Sequence, residues 1–343
     1  MFGGDRAKGK GRTDSGAFRR EAPGKKRKRI KTVDSAAFER RNRKIWAEKG
    51  KTMVAFEMVK YHNREYPKEI PLRLEEVAAH FDIRYLRQEL PYSLHTEYSY
   101  GARNFSNVHL KDLDALSGSE KKGVPQLWKD EEWARQFAKY IFEFVKGHAA
   151  PSVIEIHPPF GDYTENLRAF VDRYRIFEEM ISTRFPSAEI LIENRCGAVY
   201  QGGKFVLSKA KDLLELAELI EKKSLALRIA FDIPQLYTAH DVTNRSSKQY
   251  FLLLEEIKPI RPYIKGVHLW GKKEGERGRR VSHCGDLNSY FEGDAKIKNE
   301  FLKSLYALLD DDSTRKLVLE VNSGDADMWS IIRDLSAAQM AFL

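Results

Sequence analysis

Val153-Ile154-Glu155-Ile156-His157 is a short apolar run that closes on an imidazole and is followed at once by Pro158-Pro159. Four more runs have the same form: Ile190-Leu191-Ile192-Glu193, Leu227-Arg228-Ile229-Ala230-Phe231-Asp232, Ile264-Lys265-Gly266-Val267-His268 and Leu317-Val318-Leu319-Glu320. Mostly apolar runs of this length read as strands buried on both faces, the kind found in parallel sheets. Helical patterns fill the intervals, at 127–147, 163–184, 208–222, 246–258 and 296–309. Regular helix–strand alternation predicts parallel β/α units. A polar residue closing each strand stands where a β/α barrel carries its chemistry. The expected fold class is therefore α/β, a (β/α)8 TIM barrel with a disordered basic N-terminal arm. The expected division is an arm over 1–45 and a barrel over 46–343.

The chain has 343 residues and 42% hydrophobic side chains, ample for one barrel of about 250 residues. It has no run of about 18 apolar residues, so no membrane span is expected. The basic N-terminus lacks an apolar signal segment, which argues against secretion. Cys196 and Cys284 are the two cysteines, so a reducing compartment is expected and a disulfide framework is not. Charge is concentrated at one end. Residues 1–45 hold 16 Lys or Arg and 5 Asp or Glu, a net of +11; the whole chain is +9, so residues 46–343 sum to −2. The densest part is Lys25-Lys26-Arg27-Lys28-Arg29. The segment is poor in apolar residues, which predicts disorder. It reads as an arm that neutralises nucleic-acid phosphates, as a nuclear-import signal, or as a solvated tail. The expected location is the cytoplasm or nucleoid, or the nucleus if the source is eukaryotic.

The first third is less regular. Residues 35–65 read as partly helical, with residues 52–59 as an alternative first strand. Leu74, Val77, Ala78 and Phe81 recur at i, i+3, i+4 and i+7, which predicts a helix over 72–81. Residues 85–95 contain the second strand, ending in Tyr92-Ser93-Leu94-His95. The polar stretch 96–126 reads as loop and surface, and Asp310-Asp311-Asp312 as a solvated turn.

The candidate metal ligands are His95, His157, Glu193, Asp232, His268, His283 and Glu320. Imidazole with carboxylate suits Zn²⁺, Mn²⁺ or Fe²⁺, whereas oxygen-only sets suit Mg²⁺ or Ca²⁺. A cation would also answer the cost of burying these groups without partners. A bridging carboxylate can hold two cations about 3.5–4 Å apart, the arrangement used in phosphodiester hydrolysis. Plainer readings make Glu193, Asp232 and Glu320 helix caps or salt-bridge partners. His62, His80, His109 and His148 read as ordinary surface or core residues.

The order of motifs carries a resemblance. A His after the third expected strand, IEN at the fourth, FD at the fifth, VHLWGKK at the sixth, SHCGDLN in the next loop and LEV at the eighth resemble the xylose-isomerase-like TIM barrels. Within them, the segment LIENRCGAVYQGGKF is similar to the fourth-strand segment of endonuclease IV, the apurinic/apyrimidinic endonuclease family. The resemblance spans roughly residues 85–325. It implies His95 and His157 on a first metal, Glu193 as the bridge, and Asp232, His268 and Glu320 on a second. It also implies two ions, Zn²⁺ or alternatively Mn²⁺ or Fe²⁺. The chain departs from the family at the third-metal site. Gln235 stands where a His is expected after Asp232, and Val281 where an Asp is expected before His283. That site is expected to be absent, or rebuilt with His240 or Asp286.

Candidate substrate contacts are Asn194, Arg195, Lys272 and Asp286, with Tyr98, Tyr100 and Phe105 as stacking aromatics. The leading expectation is a metal-dependent endonuclease acting on damaged or unusual DNA, with DNA as partner and no membrane. A one-metal sugar isomerase or epimerase, an iron-dependent peptide-modifying oxidase and a catalytically reduced binding barrel stand as alternatives.

Overall fold

The structure, a computed structural model, describes residues 54–98, 101–103, 108–117, 124–200, 203–275 and 278–343. The basic segment with Lys25, Lys26, Arg27, Lys28 and Arg29 lies outside the described residues, as do Tyr100 and Phe105. Eight parallel strands form the barrel: β1 Ala55–Lys60, β2 Leu72–Ala79, β3 Tyr92–Thr96, β4 Val153–Ile156, β5 Glu189–Glu193, β6 Arg228–Asp232, β7 Ile264–Leu269 and β8 Thr314–Leu319. Pairing of β8 with β1, from Thr314 opposite Ala55 to Val318 opposite Val59, closes the ring. A last strand, β9 Ala341–Phe342, pairs with Ala55 and Phe56; β2 takes over beside β1 from Met58 onward.

The helices wrap the outside: α1 Glu131–Phe144, α2 Leu167–Arg184, α3 Ala210–Lys223, α4 Ile233–Ala239, α5 Lys248–Glu256, α6 Leu287–Tyr290, α7 Ala295–Leu309 and α8 Asp325–Ala337. The first helix shows why. Asp130 caps it by accepting Trp133 N–H at 2.7 Å. Trp133, Phe137, Tyr140, Ile141 and Phe144 then recur on one face and are buried. Among the described residues, no helix is long and apolar enough to cross a membrane.

Two expectations are corrected. Residues 72–81 are not a helix; Leu72–Ala79 is β2, paired with β1 on one side and β3 on the other. Its apolar residues satisfy both periods, and pairing on both edges decides the outcome. Glu75 turns away from the barrel interior, where its carboxylate accepts the N–H groups of Glu89 and Leu90. Segments 61–71 and 80–91 contain no helix, so β1, β2 and β3 are joined by loops alone. The strand count therefore shifts by one. His95 lies near the end of the third strand, Glu193, Asp232 and His268 lie in the fifth, sixth and seventh, and His157 and Glu320 follow the fourth and the eighth.

The acidic turn is also more than solvated surface. Arg315, 1% exposed, donates to the carbonyls of Ile264, Leu309, Ser313 and Arg261, and to Asp311 at 2.7 Å. It ties the base of β7 and β8 together.

Candidate metal centre

Period-two alternation builds the centre. Val59, Leu74, Val153, Leu191, Ala230 and Val318 form an apolar layer inside the barrel. Two residues further along the same strands stand Tyr61, Glu76, Glu155, Glu193, Asp232 and Glu320. In a strand, residues i and i+2 share a face, so each polar group rises from this layer toward the mouth. On β4 the series continues from Glu155 to His157. β7 supplies His268 two residues above Gly266, where a side chain would press on Leu191 and Ala230.

The structure brings His95, His157, Glu193, Asp232, His268, His283 and Glu320 into one connected cluster. One ligand atom each from His95, Glu155, His157 and Glu193 lie within 4.8 Å of one another; so do atoms from Glu193, Asp232 and His268. Glu193 belongs to both groups. Its Oε2 lies 2.9 Å from His157 Nε2, and Arg195 Nη1 donates to both of its oxygens at 2.9 and 3.0 Å. Gln235 donates its amide to Glu193 Oε1 and, at 3.1 Å, to Asp232 Oδ2. Gln235 thus lies between two candidate ligands.

Ring partners assign the imidazole tautomers. His157 Nδ1 lies 3.1 Å from the Glu97 carbonyl, an acceptor only, so Nδ1 carries the proton. Burial lowers its pKa, against the hydrogen bond with Glu193, which raises it. Its Nε2 faces a carboxylate oxygen of Glu193 at 2.9 Å. His268 lies between acceptors too, with Nδ1 3.1 Å from Glu320 Oε1 and Nε2 3.2 Å from Glu155 Oε2. His95 Nε2 lies 3.7 Å from Glu155 and 3.8 Å from Glu193. Burial works to lower its pKa, but Glu193, Glu76 and Glu155 raise it to about 9.

The carboxylates divide by environment. Burial, reinforced by Glu193 and Glu320, raises Asp232 to about 7. Burial acts on Glu320 in the same sense, yet His268 and His283 hold it well below the ordinary carboxylate range. His283 Nδ1 lies 3.0 Å from Glu320, and its ring stacks on Trp270 at 4.2 Å. Trp270 also donates Nε1–H to Asp232 at 2.9 Å. Asp232 accepts Gln235 N–H at 2.7 Å as the cap of α4, the plainer reading, while its carboxylate also stands within reach of Glu193 and His268.

The remaining candidates divide. Asn194 Nδ2 donates to the Asp232 carbonyl and its Oδ1 accepts Asp232 N–H, both at 2.9 Å. It is a clamp between β5 and β6. Lys272 Nζ donates to Thr238 Oγ1 at 2.9 Å, and burial lowers its pKa. Asp286 caps α6 and accepts Ser330 Oγ–H at 2.7 Å. His240 accepts Ala210 N–H at 3.1 Å. Val281 is 46% exposed on a short hairpin. The Tyr98 ring is occupied by the guanidiniums of Arg103 and Arg195, at 4.7 and 5.5 Å from its centroid.

The sequence reading missed three participants. Glu155 hid inside an apolar run, although its place two residues before His157 is the signal for a shared face. His80, read as ordinary, directly follows β2 with Nε2 3.3 Å from His95 Nδ1. Glu97 is fully buried, salt-bridged to Arg103 at 2.9 Å, and its backbone carbonyl orients His157.

No family model matches the sequence, nor does any curated protein. Among solved structures, that of AsfvAP:AG matches 84% of this chain and 99% of its own at 12% identity and a TM-score of 0.49. A xylose isomerase domain containing protein from Salmonella typhimurium matches 84% of this chain and 99% of its own, at 10% identity and a TM-score of 0.44. D-psicose 3-epimerase from Clostridium cellulolyticum H10, solved with D-tagatose, matches 82% and 96%, at 8% identity and a TM-score of 0.34.

Proposed function

We propose that the barrel mouth holds two divalent cations, and that the protein is a metal-dependent phosphodiesterase acting on damaged or unusual DNA. The observation that carries this is the pair of ligand groups that share Glu193. His95 and His157 serve one side of it, Asp232 and His268 the other, and Glu320 completes the second set through His268. The donor chemistry fits. Glu155, Glu193, Asp232 and Glu320 are buried. Among the described residues, Arg195 is the one Lys or Arg in ion-pair contact with them. Four buried carboxylates thus face one guanidinium and the imidazoles of His95, His157, His268 and His283, a donor set of the kind that holds divalent cations, and buried charge without compensation is costly. His157 Nε2 and Glu193 Oε2, 2.9 Å apart, offer two donors to one cation.

When bound, such a pair of ions supplies Lewis acidity at the phosphate and an activated water near neutral pH. The chain supplies the rest. Asn194 fixes Asp232 through its backbone, and Trp270 covers the Asp232 carboxylate. Arg195 balances Glu193, and we assign Lys272 to an anionic oxygen of the substrate. The N-terminal +11 segment adds phosphate affinity that a small-sugar enzyme does not need.

Glu193, Asp232, His268 and Glu320 would also serve a one-ion sugar isomerase or epimerase, and their proximity keeps that reading second. The test is cleavage of abasic-site and intact duplexes with Zn²⁺, Mn²⁺ or Fe²⁺, beside assays on small sugars. Nicking that a chelator and Glu193→Gln both abolish is the expected result. Absence of cleavage with all three ions, with turnover of a sugar, would move the assignment to the isomerase.

A further inference from the structure

We infer that Glu155 is a second bridging ligand, making the centre a doubly carboxylate-bridged pair suited to Mn²⁺ or Fe²⁺. The inference rests on the two-ion reading above and adds a residue outside the ligand set that the resemblance implies. Glu155 is 3% exposed. Its Oε2 points to His268 Nε2 at 3.2 Å, and its Oε1 to His95 Nε2 at 3.7 Å. It thus spans the same two groups as Glu193, one oxygen toward each. Its Oε1 has no hydrogen-bond partner. An orphaned oxygen on a buried carboxylate carries a full desolvation cost and calls for an explanation.

Coordination number points the same way. With Glu155, one ion has His95, His157, Glu155 and Glu193, already four protein ligands. Four ligands close a tetrahedral Zn²⁺ site and leave no position for chemistry. An ion that takes six ligands keeps two positions open. Imidazole mixed with an excess of carboxylate suits Mn²⁺ or Fe²⁺. The competing account makes Glu155 no more than the acceptor for a protonated His268.

The full chain, stripped with a chelator, is titrated with Mn²⁺ and followed by metal analysis and electron paramagnetic resonance. Wild type is expected to take two ions per chain with an exchange-coupled spectrum. Glu155→Gln should lower affinity for the second ion by about 10–100-fold and give the six-line signal of isolated Mn²⁺. Unchanged stoichiometry, affinity and coupling in that variant would overturn the inference and leave the two-ion reading standing. A wild-type crystal loaded with Mn²⁺ gives a check independent of the variant's folding. Glu155 oxygens within roughly 2.5 Å of both ions are expected, and a Glu155 bonded to His268 alone refutes the bridge. Binding of Zn²⁺ but not Mn²⁺ or Fe²⁺ overturns it as well. Failure to bind any of the three ions removes the two-ion reading itself.

Discussion

Asn194→Ala should destabilise the barrel by removing two buried hydrogen bonds to one backbone residue. Asn194 and Asp232 are both fully buried. The regular β5–β6 ladder pairs Glu193 with Ala230 as its last register, and the Asn194 amide extends it to the backbone N–H and C=O of Asp232. Truncation leaves one buried donor and one buried acceptor unmade. Each costs about 1–3 kcal/mol, and a water entering the space returns part of it, so a loss of about 2–4 kcal/mol is expected. Urea unfolding of the metal-free protein reads this directly, through a lower midpoint at unchanged slope. Asn194→Asp is the control. It keeps the acceptor for Asp232 N–H but sets an oxygen against the Asp232 carbonyl, so it should not restore stability. A stability change for Asn194→Ala below about 0.5 kcal/mol, the range of ordinary surface substitutions, would refute the clamp. A raised KM at unchanged stability would return Asn194 to the role of substrate contact.

Three further outcomes are expected. Arg315→Met should cost about 3 kcal/mol or more, because it strips a buried cation from four carbonyls and Asp311. Burial opposes ionisation of Asp311, but the Arg315 hydrogen bond outweighs it and depresses the pKa. Its stabilising contribution is therefore present above the ordinary Asp pKa and fades as pH falls through the folded value; acid unfolding curves of the variant should lack that component. Metal affinity should rise with pH up to about 9, since His95 must give up a proton held to that point. Calorimetry in buffers of different ionisation enthalpy would show proton release, and pH-independent binding would contradict it. Deletion of residues 1–34 should leave the barrel folded and flatten the salt dependence of DNA binding; an unchanged salt slope makes the segment an address signal or an inert extension.

What the sequence reveals follows burial. Strands β4 to β8 are covered on both faces, so they appear as apolar runs, and their ligands stand out at the ends. The β2 strand carries Glu75 and Glu76 and has no helix on either side, and its apolar residues fit the helical period as well as the strand's, so the pattern alone points to the wrong element. His80 was discounted with it. Glu155 shows a different loss: a carboxylate within an apolar run reads as an interruption until alternation is followed residue by residue. Asn194 and Arg315 act on backbone groups that only the closed barrel brings near them. Gln235 was legible as a departure, but its contact with both Glu193 and Asp232 depends on the start of α4 folding back over β5.

The claim that Glu193 is shared by two ions is tested most directly by metal analysis of wild type beside Glu193→Gln. The substitution keeps shape and removes charge. The account predicts two ions per wild-type chain and less than one in the variant, because both sites lose the same ligand. Two ions retained in Glu193→Gln, or a single ion in wild type, would contradict it.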